Sequence, residues 1–325
     1  MASPRDEVAR IEAAAKLGDP QKIYDVAREV EDGACTDALK RFARGYVLQA
    51  EAVDRHEPST AVAGRRLARR WRATALNGFN CGSASGAAFF PPSALDHSPP
   101  RTLDQSVSRE LQGAAQGFDG ISAVWYQDLR SGTYASYNAD MRFPAASTVK
   151  LALAVASERR LSGNFYLDDY DIDAMLRWSS NLGANRLLER VGTAKVAYEL
   201  RRMGATHSTY PGPYRVGTSL SSRVTTARDL GRMLWWLQAH RQWRIIDGLL
   251  ESEPFRDNIG LFKPWLPKTW PIAQKNGWIS DARHTAAIVY TPTGPRILVV
   301  LTYADGLTLK AAQAYARRVI GLTLR

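Results

Sequence analysis

The chain contains the stretch Phe143-Pro-Ala-Ala-Ser147-Thr-Val-Lys150-Leu-Ala-Leu-Ala-Val-Ala156, a nearly uninterrupted apolar run that carries one serine and one lysine. The pattern predicts a buried helix over residues 143–156 that starts just after the proline. Three positions make almost one helical turn, so the side chains of Ser147 and Lys150 are expected on the same face and within reach of each other. The stretch therefore predicts a nucleophile beside a base.

The chemistry of this pair depends on its surroundings. A serine hydroxyl is a weak nucleophile until a neighbour takes its proton, and a lysine accepts that proton only when burial or nearby positive charge lowers its pKa. The free N–H groups of a helix start would favour the negative charge that forms on an attacked carbonyl oxygen. A Ser-x-x-Lys spacing is expected by chance roughly once in a chain of this length, so the motif needs support from elsewhere in the sequence.

Composition narrows the classes of function. The 325 residues are 45% hydrophobic and 23% charged, which is typical of a globular protein with an ample core. The net charge of +11 includes the arginine-rich segment 65–72, but no nucleic-acid-binding motif accompanies it, so no nucleic-acid partner is expected. Cys35, Cys81 and the five histidines are scattered without metal-ligand spacing, so neither a metal nor another cofactor is expected.

Targeting signals are weak. No apolar run approaches the ~20 residues of a membrane span, and the first residues show no basic-then-apolar leader. Residues 65–81 resemble a degenerate export signal, but their apolar part is short and is interrupted by Asn77 and Asn80, so we interpret them as a helix end followed by a linker. The compartment stays open.

The chain divides into three predicted regions. Residues 1–78 are predicted to be helical, and within them residues 3–55 show helical periodicity with breaks at Gly18-Asp19-Pro20 and Asp32-Gly33, which predicts a small bundle of three helices. Residues 79–104 are rich in Gly, Ser, Ala and Pro and are interpreted as a linker. Residues 105–325 form the third region, with strands at both ends and helices between them.

The pattern of the third region predicts an α+β fold. A helix is expected at 105–116, strands at 121–129, 133–138, 272–278, 285–290 and 296–303, a mostly helical segment from 168 to about 240, and a final helix at 308–320. We therefore predict one antiparallel sheet covered by helices on both faces.

Two further short motifs follow the Ser-x-x-Lys stretch. Ser179-Ser180-Asn181 stands at a loop entering a helix, and Lys275-Asn276-Gly277 stands at the end of a strand. Each is weak alone, since similar triplets occur elsewhere in the chain. Their order along the chain is that of the motif set of class A β-lactamases and penicillin-binding proteins.

On these motifs and their flanking residues, residues 105–325 resemble the class A β-lactamase and DD-peptidase family of serine hydrolases. The resemblance implies that Ser147 attacks a lactam or peptide carbonyl, that Lys150 accepts its proton, and that Ser179 passes a proton to the leaving nitrogen. It also implies an oxyanion site between the backbone N–H groups of Ser147 and Trp278. The residues implied to bind substrate are Asn181, Lys275, Asn276, Gly277, Trp278 and Arg283. No such resemblance covers residues 1–78.

The chain departs from the family pattern at three places. Ser180 replaces the usual aspartate, and Asn276 replaces the usual threonine or serine, for which Arg283 on the neighbouring strand is a possible substitute as a carboxylate ligand. The third departure concerns the loop glutamate that activates the deacylating water in class A enzymes, about 35 residues beyond the Ser-x-Asn motif. No Asp or Glu occurs here between Glu199 and Asp229, so deacylation is expected to be slow.

Three functions remain open at this point. The first is a monomeric serine hydrolase that acts on a β-lactam or related amide. The second is a DD-peptidase or transacylase that acts on a peptidoglycan peptide and uses Lys150 throughout. The third is a non-catalytic module that binds a ligand or, through residues 1–78, a partner. The family usually acts outside the cytoplasm, but the sequence itself does not name the compartment.

Overall fold

The computed structural model describes residues 4–34, 37–54, 58–76, 96–161, 166–214, 223–250, 252 and 259–324. The chain divides into two units, residues 1–91 and 92–325, and each is described by itself below. The elements of both units are numbered together in chain order.

Four helices make up the described part of the first unit, and the first three confirm the three helices predicted within residues 3–55. They are α1 (Pro4–Lys16), α2 (Pro20–Gly33), α3 (Asp37–Asp54) and α4 (Pro58–Leu76). Asp19 caps α2, since its carboxylate accepts hydrogen bonds from the Gln21 and Lys22 N–H groups. The fourth helix, of which only an end was expected within residues 65–81, begins at Pro58, where a proline favours a helix start.

The longest helices of this unit, α3 and α4, approach each other closely at two glycines. A Cβ atom on Gly45 would lie 2.5 Å from the Ala68 nitrogen, and one on Gly64 would lie 2.5 Å from the Gly45 carbonyl oxygen. The two backbones therefore touch where neither residue has a side chain. None of the helices that the structure describes is long and apolar enough to cross a membrane.

The second unit is built on a six-stranded sheet. Its strands are β1 (Thr102–Leu103), β2 (Ile121–Asp128), β3 (Thr133–Tyr137), β6 (Ile272–Ile279), β7 (Ala282–Thr291) and β8 (Gly294–Tyr303), in the spatial order β1-β3-β2-β8-β7-β6. All neighbours are antiparallel except β1 and β3. A separate antiparallel pair is formed by β4 (Phe143–Pro144) and β5 (Val224–Thr225).

Helices surround this sheet, which confirms the predicted α+β architecture. They are α5 (Gln105–Gln116), α6 (Lys150–Leu161), α7 (Tyr166–Arg177), α8 (Asn181–Val191), α9 (Thr193–Arg202), α10 (Ala227–Ala239), α11 (Trp243–Leu250) and α12 (Leu309–Thr323). On one face, Leu111 of α5 and Tyr315 of α12 join a core cluster with Val300 of β8. On the other, Gly231 of α10 packs so closely on the Trp125 ring that a Cβ atom would overlap it.

The predicted linker 79–104 reaches too far into the second unit. Its last residues belong to the sheet, because Thr102 and Leu103 form β1 in parallel register with Thr133 and Tyr134. The Arg101 N–H also donates to the Gly132 carbonyl at 2.8 Å. Composition alone did not reveal this short edge strand, and residues 79–95 lie outside the described part of the chain.

The predicted helix 143–156 begins later than expected. Phe143 and Pro144 form β4, residues 146–149 form a turn, and α6 starts at Lys150. Within the turn, N–H groups bond three residues back, as in the bond from Lys150 N to Ser147 O at 3.3 Å. Ser147 therefore precedes the α-helix by one tight turn, and the apolar run that follows is buried as predicted.

Candidate active site

Ser147 lies on a turn whose backbone is strained just before it. Ala146 has a φ of +46°, a left-handed conformation that costs a residue with a side chain on the order of 1–3 kcal/mol. Neighbours hold this turn: the Ala145 N–H donates to the Arg223 carbonyl at 2.8 Å, and the Tyr214 hydroxyl donates to the Ala146 carbonyl at 3.0 Å. The surrounding contacts fix the position of the half-buried serine.

Lys150 is fully buried and points at the second motif. Its Nζ atom lies 2.7 Å from the Ser179 carbonyl oxygen, 2.7 Å from Asn181 Oδ1 and 3.5 Å from Ser179 Oγ. Asn181 is exposed at the first residue of α8, so its amide joins the buried lysine to the surface. Among the described residues, no hydrogen bond joins Lys150 Nζ to the Ser147 hydroxyl.

The surroundings of Lys150 favour the neutral amine. Burial lowers its pKa well below the ordinary value, and the positive charges of Lys275 and Arg223 lower it further. A neutral amine has two N–H donors and one lone pair. The two 2.7 Å hydrogen bonds use both donors, which leaves the lone pair to accept a proton. Lys150 thus has the properties of a general base.

Ser179 stands between the two lysines. Its side chain accepts a hydrogen bond from Lys275 Nζ at 2.7 Å, while Lys150 Nζ holds its carbonyl oxygen. Like Ala146, it has a left-handed backbone, with φ at +58°. Ser180, which replaces the usual aspartate, caps α8 by accepting from the Gly183 N–H at 3.1 Å. The Ser180 hydroxyl therefore serves as the N-cap of α8.

Lys275 is also buried, on β6 at the edge of the sheet. Burial lowers its pKa to about 7, so it exchanges its proton near neutral pH. Besides Ser179, it donates to the Asn276 carbonyl at 3.2 Å. Among the described residues, neither Lys150 nor Lys275 forms an ion pair with a carboxylate.

The strand β6 meets the serine turn at Gly277. A Cβ atom there would lie 3.1 Å from the backbone nitrogens of Ser147 and Thr148. The lack of a side chain therefore lets the strand backbone approach the serine N–H. Half-buried Trp278 follows on the same strand, paired with Arg283 of β7.

Two of the predicted substrate-binding residues make contacts within the sheet. Asn276 is buried, and its Oδ1 accepts from the Thr285 hydroxyl at 2.7 Å beside Gly260, so this side-chain oxygen is directed away from the cluster of lysines and serines. Strand residues alternate between faces, and Asn276 faces away from Lys275. Arg283 donates to the carbonyl oxygens of Ile279 and Ala282 in its own hairpin.

Tyr214 and Arg223 were not among the residues predicted for this site. The Tyr214 ring lies against two cations, with its centroid 4.4 Å from Lys150 Nζ and 3.9 Å from the Arg223 guanidinium carbon. Asn185 holds the Tyr214 backbone from both sides, donating to its carbonyl at 2.9 Å and accepting from its N–H at 2.7 Å. The sequence held one signal for Tyr214. It follows Ser179 by 35 residues, about the distance at which class A enzymes carry their loop glutamate beyond the Ser-x-Asn motif.

The described residues contain no group of three or more His, Cys, Asp or Glu side chains able to hold an ion. What the geometry provides is a hydroxyl on a strained turn, a desolvated amine, a second hydroxyl between two lysines, and a close backbone strand. These are the parts of a nucleophilic serine site.

Comparisons with known proteins identify a family and a shared fold. The profile of the Beta-lactamase enzyme family matches residues 106–170 and 172–322. Among solved structures, PBP-A is similar with a TM-score of 0.59 and 18% identity over 69% of this chain and 98% of its own. A class A β-lactamase from Mycobacterium abscessus has a TM-score of 0.57 and 22% identity over 66% of this chain and 98% of its own.

A variant of PBP-A, solved as an acyl-enzyme complex with penicillin G, is similar as well. Its TM-score is 0.58, with 18% identity over 69% of this chain and 98% of its own. At these identities the solved structures show a shared fold. No curated protein sequence matches the chain.

Proposed function

We propose, from the premise that this chain belongs to the Beta-lactamase enzyme family, that Ser147 is acylated by a β-lactam or a related amide. The chain is then a serine hydrolase of the β-lactamase-like superfamily in which acylation is fast and hydrolysis of the acyl-enzyme is slow. The observation that supports this best is the buried chain of contacts Lys150–Ser179–Lys275 beside the Ser147 turn.

Acylation follows from the roles of these groups. The Lys150 lone pair takes the Ser147 proton, and Oγ attacks the carbonyl carbon. The negative oxygen that forms is stabilised by the N–H groups of Ser147 and Trp278, each worth roughly 10²–10³ in rate. Ser179 then gives its proton to the leaving nitrogen as the C–N bond breaks, and it takes in turn the proton held by Lys150, whose Nζ lies 3.5 Å from Ser179 Oγ. The positive charge of Lys275 attracts a substrate carboxylate.

Deacylation lacks an evident base. The segment between Glu199 and Asp229 contains no acid, and the described neighbours of Lys150 and Lys275 include no paired carboxylate. A general base typically contributes 10²–10⁴-fold, so hydrolysis of the ester should be slow. The same absence favours a second candidate, a DD-peptidase or transacylase that uses Lys150 in both half-reactions.

A labelling experiment tests the proposal. Fluorescent penicillin should attach covalently to the wild-type chain and not to the Ser147→Ala variant, with intact mass giving the adduct. Ser180→Ala is the matched control, because it removes only the cap of α8, at about 1 kcal/mol, and should still be labelled.

The time course separates the candidates. A chromogenic cephalosporin should give a burst of one equivalent followed by weak turnover. Parallel assays on a peptide ending in D-Ala-D-Ala would identify a peptidase. Fast steady turnover without accumulated acyl-enzyme contradicts slow deacylation, and absence of any adduct on the wild-type chain indicates a binding module.

A further inference from the structure

Tyr214 fills the space between the nucleophile turn and the base. Its hydroxyl bonds to the carbonyl of Ala146, the residue before Ser147, and its ring lies against Lys150 Nζ. One side chain therefore contacts both the residue that precedes the nucleophile and the base itself. No step of the acylation chemistry requires it.

We propose that Tyr214 is a positioning residue that shields the acyl-enzyme from water while it holds the Ser147 turn in its strained conformation. This inference rests on the proposed function, since it concerns the ester that acylation forms on Ser147. Hydrolysis of the acyl-enzyme is then slow for two reasons: the Tyr214 ring occupies space that water would need, and no acid is present to activate that water.

Geometry limits where water can stand. A water activated by Lys150 must come within about 3 Å of Nζ and must also face the ester carbon. Two directions around Nζ are taken by the Ser179 carbonyl and the Asn181 amide. The Tyr214 ring lies against Nζ on another side, and a centroid distance of 4.4 Å leaves no room for a water between the ring and Nζ.

The ring itself is firmly held. The Asn185 amide bridges its backbone N–H and carbonyl, and Arg223 stacks on the ring at 3.9 Å. The Arg223 guanidinium is fixed in turn by the carbonyls of Gly212 and Pro213, at 2.7 and 3.2 Å. Burial raises the pKa of Tyr214 above its ordinary value, so its hydroxyl stays protonated and is a donor to Ala146.

The shielded step is ester hydrolysis. Water loses a proton to the base, its oxygen bonds to the acyl carbon, and the bond from that carbon to Ser147 Oγ breaks. Oγ recovers the proton, and the acyl group leaves as a carboxylic acid. Removal of the ring leaves space for a water beside Lys150 Nζ, and the neutral amine can then accept a proton from that water.

Two variants separate the two roles of Tyr214. Tyr214→Phe keeps the ring and loses one neutral hydrogen bond to Ala146, so acylation should slow about two- to tenfold while the adduct stays long-lived. Tyr214→Ala removes the ring and should speed deacylation by about 10²-fold, the lower range of what a general base supplies. Tyr315→Phe is the matched control, because it loses a buried tyrosine hydroxyl bonded to Ser122 elsewhere in the unit.

The measurement is intact mass over time after acylation with penicillin G and removal of free ligand. A faster loss of adduct in Tyr214→Ala, with Tyr214→Phe and Tyr315→Phe like the wild type, supports the proposal. Equal adduct lifetimes in all four proteins overturn the shielding role of Tyr214, while the proposed acylation of Ser147 still stands. If the alanine variant does not fold, Tyr214→Leu, which shortens the side chain, decides in the same way. No adduct on the wild type refutes the proposed function and this inference with it.

Discussion

The buried side chain of Lys275 changes its charge near neutral pH. Burial lowers the pKa of Lys275 to about 7, against an ordinary value near 10.4. Between these two pH values the unfolded chain keeps a proton on this group that the folded chain has lost. The folded state is therefore stabilised as the pH rises through this window.

This linkage gives a prediction for Lys275→Met. The wild-type free energy of unfolding should rise from about pH 7 toward pH 10 more steeply than that of the variant, since the variant lacks the titrating group. Denaturant titrations at several pH values measure the difference. Loss of the Lys275 charge also moves the pKa of Lys150 toward its ordinary value, which makes the pH profile of the variant shallower still. Parallel pH profiles would show that Lys275 keeps its ordinary pKa in the folded state.

At the scale of elements, the site depends on how closely strand β6 approaches the serine turn. Gly277 provides this approach, because a Cβ atom at this position would lie only 3.1 Å from the nitrogens of Ser147 and Thr148. The predicted oxyanion donors, Ser147 N–H and Trp278 N–H, lie on these two elements. Their spacing is therefore set by how β6 packs on the turn.

A Gly277→Ala variant tests this packing. The added methyl group would lie 3.0 Å from Thr148 Cγ2 and 3.1 Å from Ser147 N, which forces the strand and turn apart. We expect acylation to slow by about 10²–10³-fold, the loss of one oxyanion donor, as measured by stopped-flow labelling. Gly113→Ala is the control: its Cβ meets nothing within 4 Å on helix α5, so labelling should be unchanged and stability should rise by about 0.5–1 kcal/mol. Normal acylation in Gly277→Ala would remove this contact from the mechanism.

At the scale of the whole molecule, every hydrogen bond described for the site joins residues of the second unit. The family profile also falls within that unit, at residues 106–170 and 172–322. The four helices of the first unit have their own buried residues, such as Ile11, Phe42 and Val47. Each unit thus has a core of its own, as expected of domains.

We therefore predict that a protein of residues 92–325 folds and is acylated at the rate of the full chain. Circular dichroism and the labelling time course measure the two properties. Full acylation would assign residues 1–91 a role other than building the site. A folded but unreactive fragment would show that the first unit contributes to the chemistry.

Local sequence was sufficient for the architecture and for the central residues. Apolar periodicity and turn residues predicted the sheet, its flanking helices and the buried run after Lys150. The three short motifs, in their order, pointed to Ser147, Lys150, Ser179 and Lys275, whose contacts the structure describes. Such patterns are informative because burial repeats with the period of each element.

Tertiary structure decided the details of the site. The late start of helix α6 follows from the pairing of Phe143 and Pro144 with β5, some 80 residues away. The direction of Asn276 was hidden because β6 is buried on both faces, so its residues show no alternation of exposed and buried positions. The contacts of Tyr214 with Lys150, Arg223 and Ala146 join segments far apart in sequence, and local propensity carries no record of such contacts. Sequence alone thus determined the fold and the chemical groups, and packing between distant segments determined which of those groups meet.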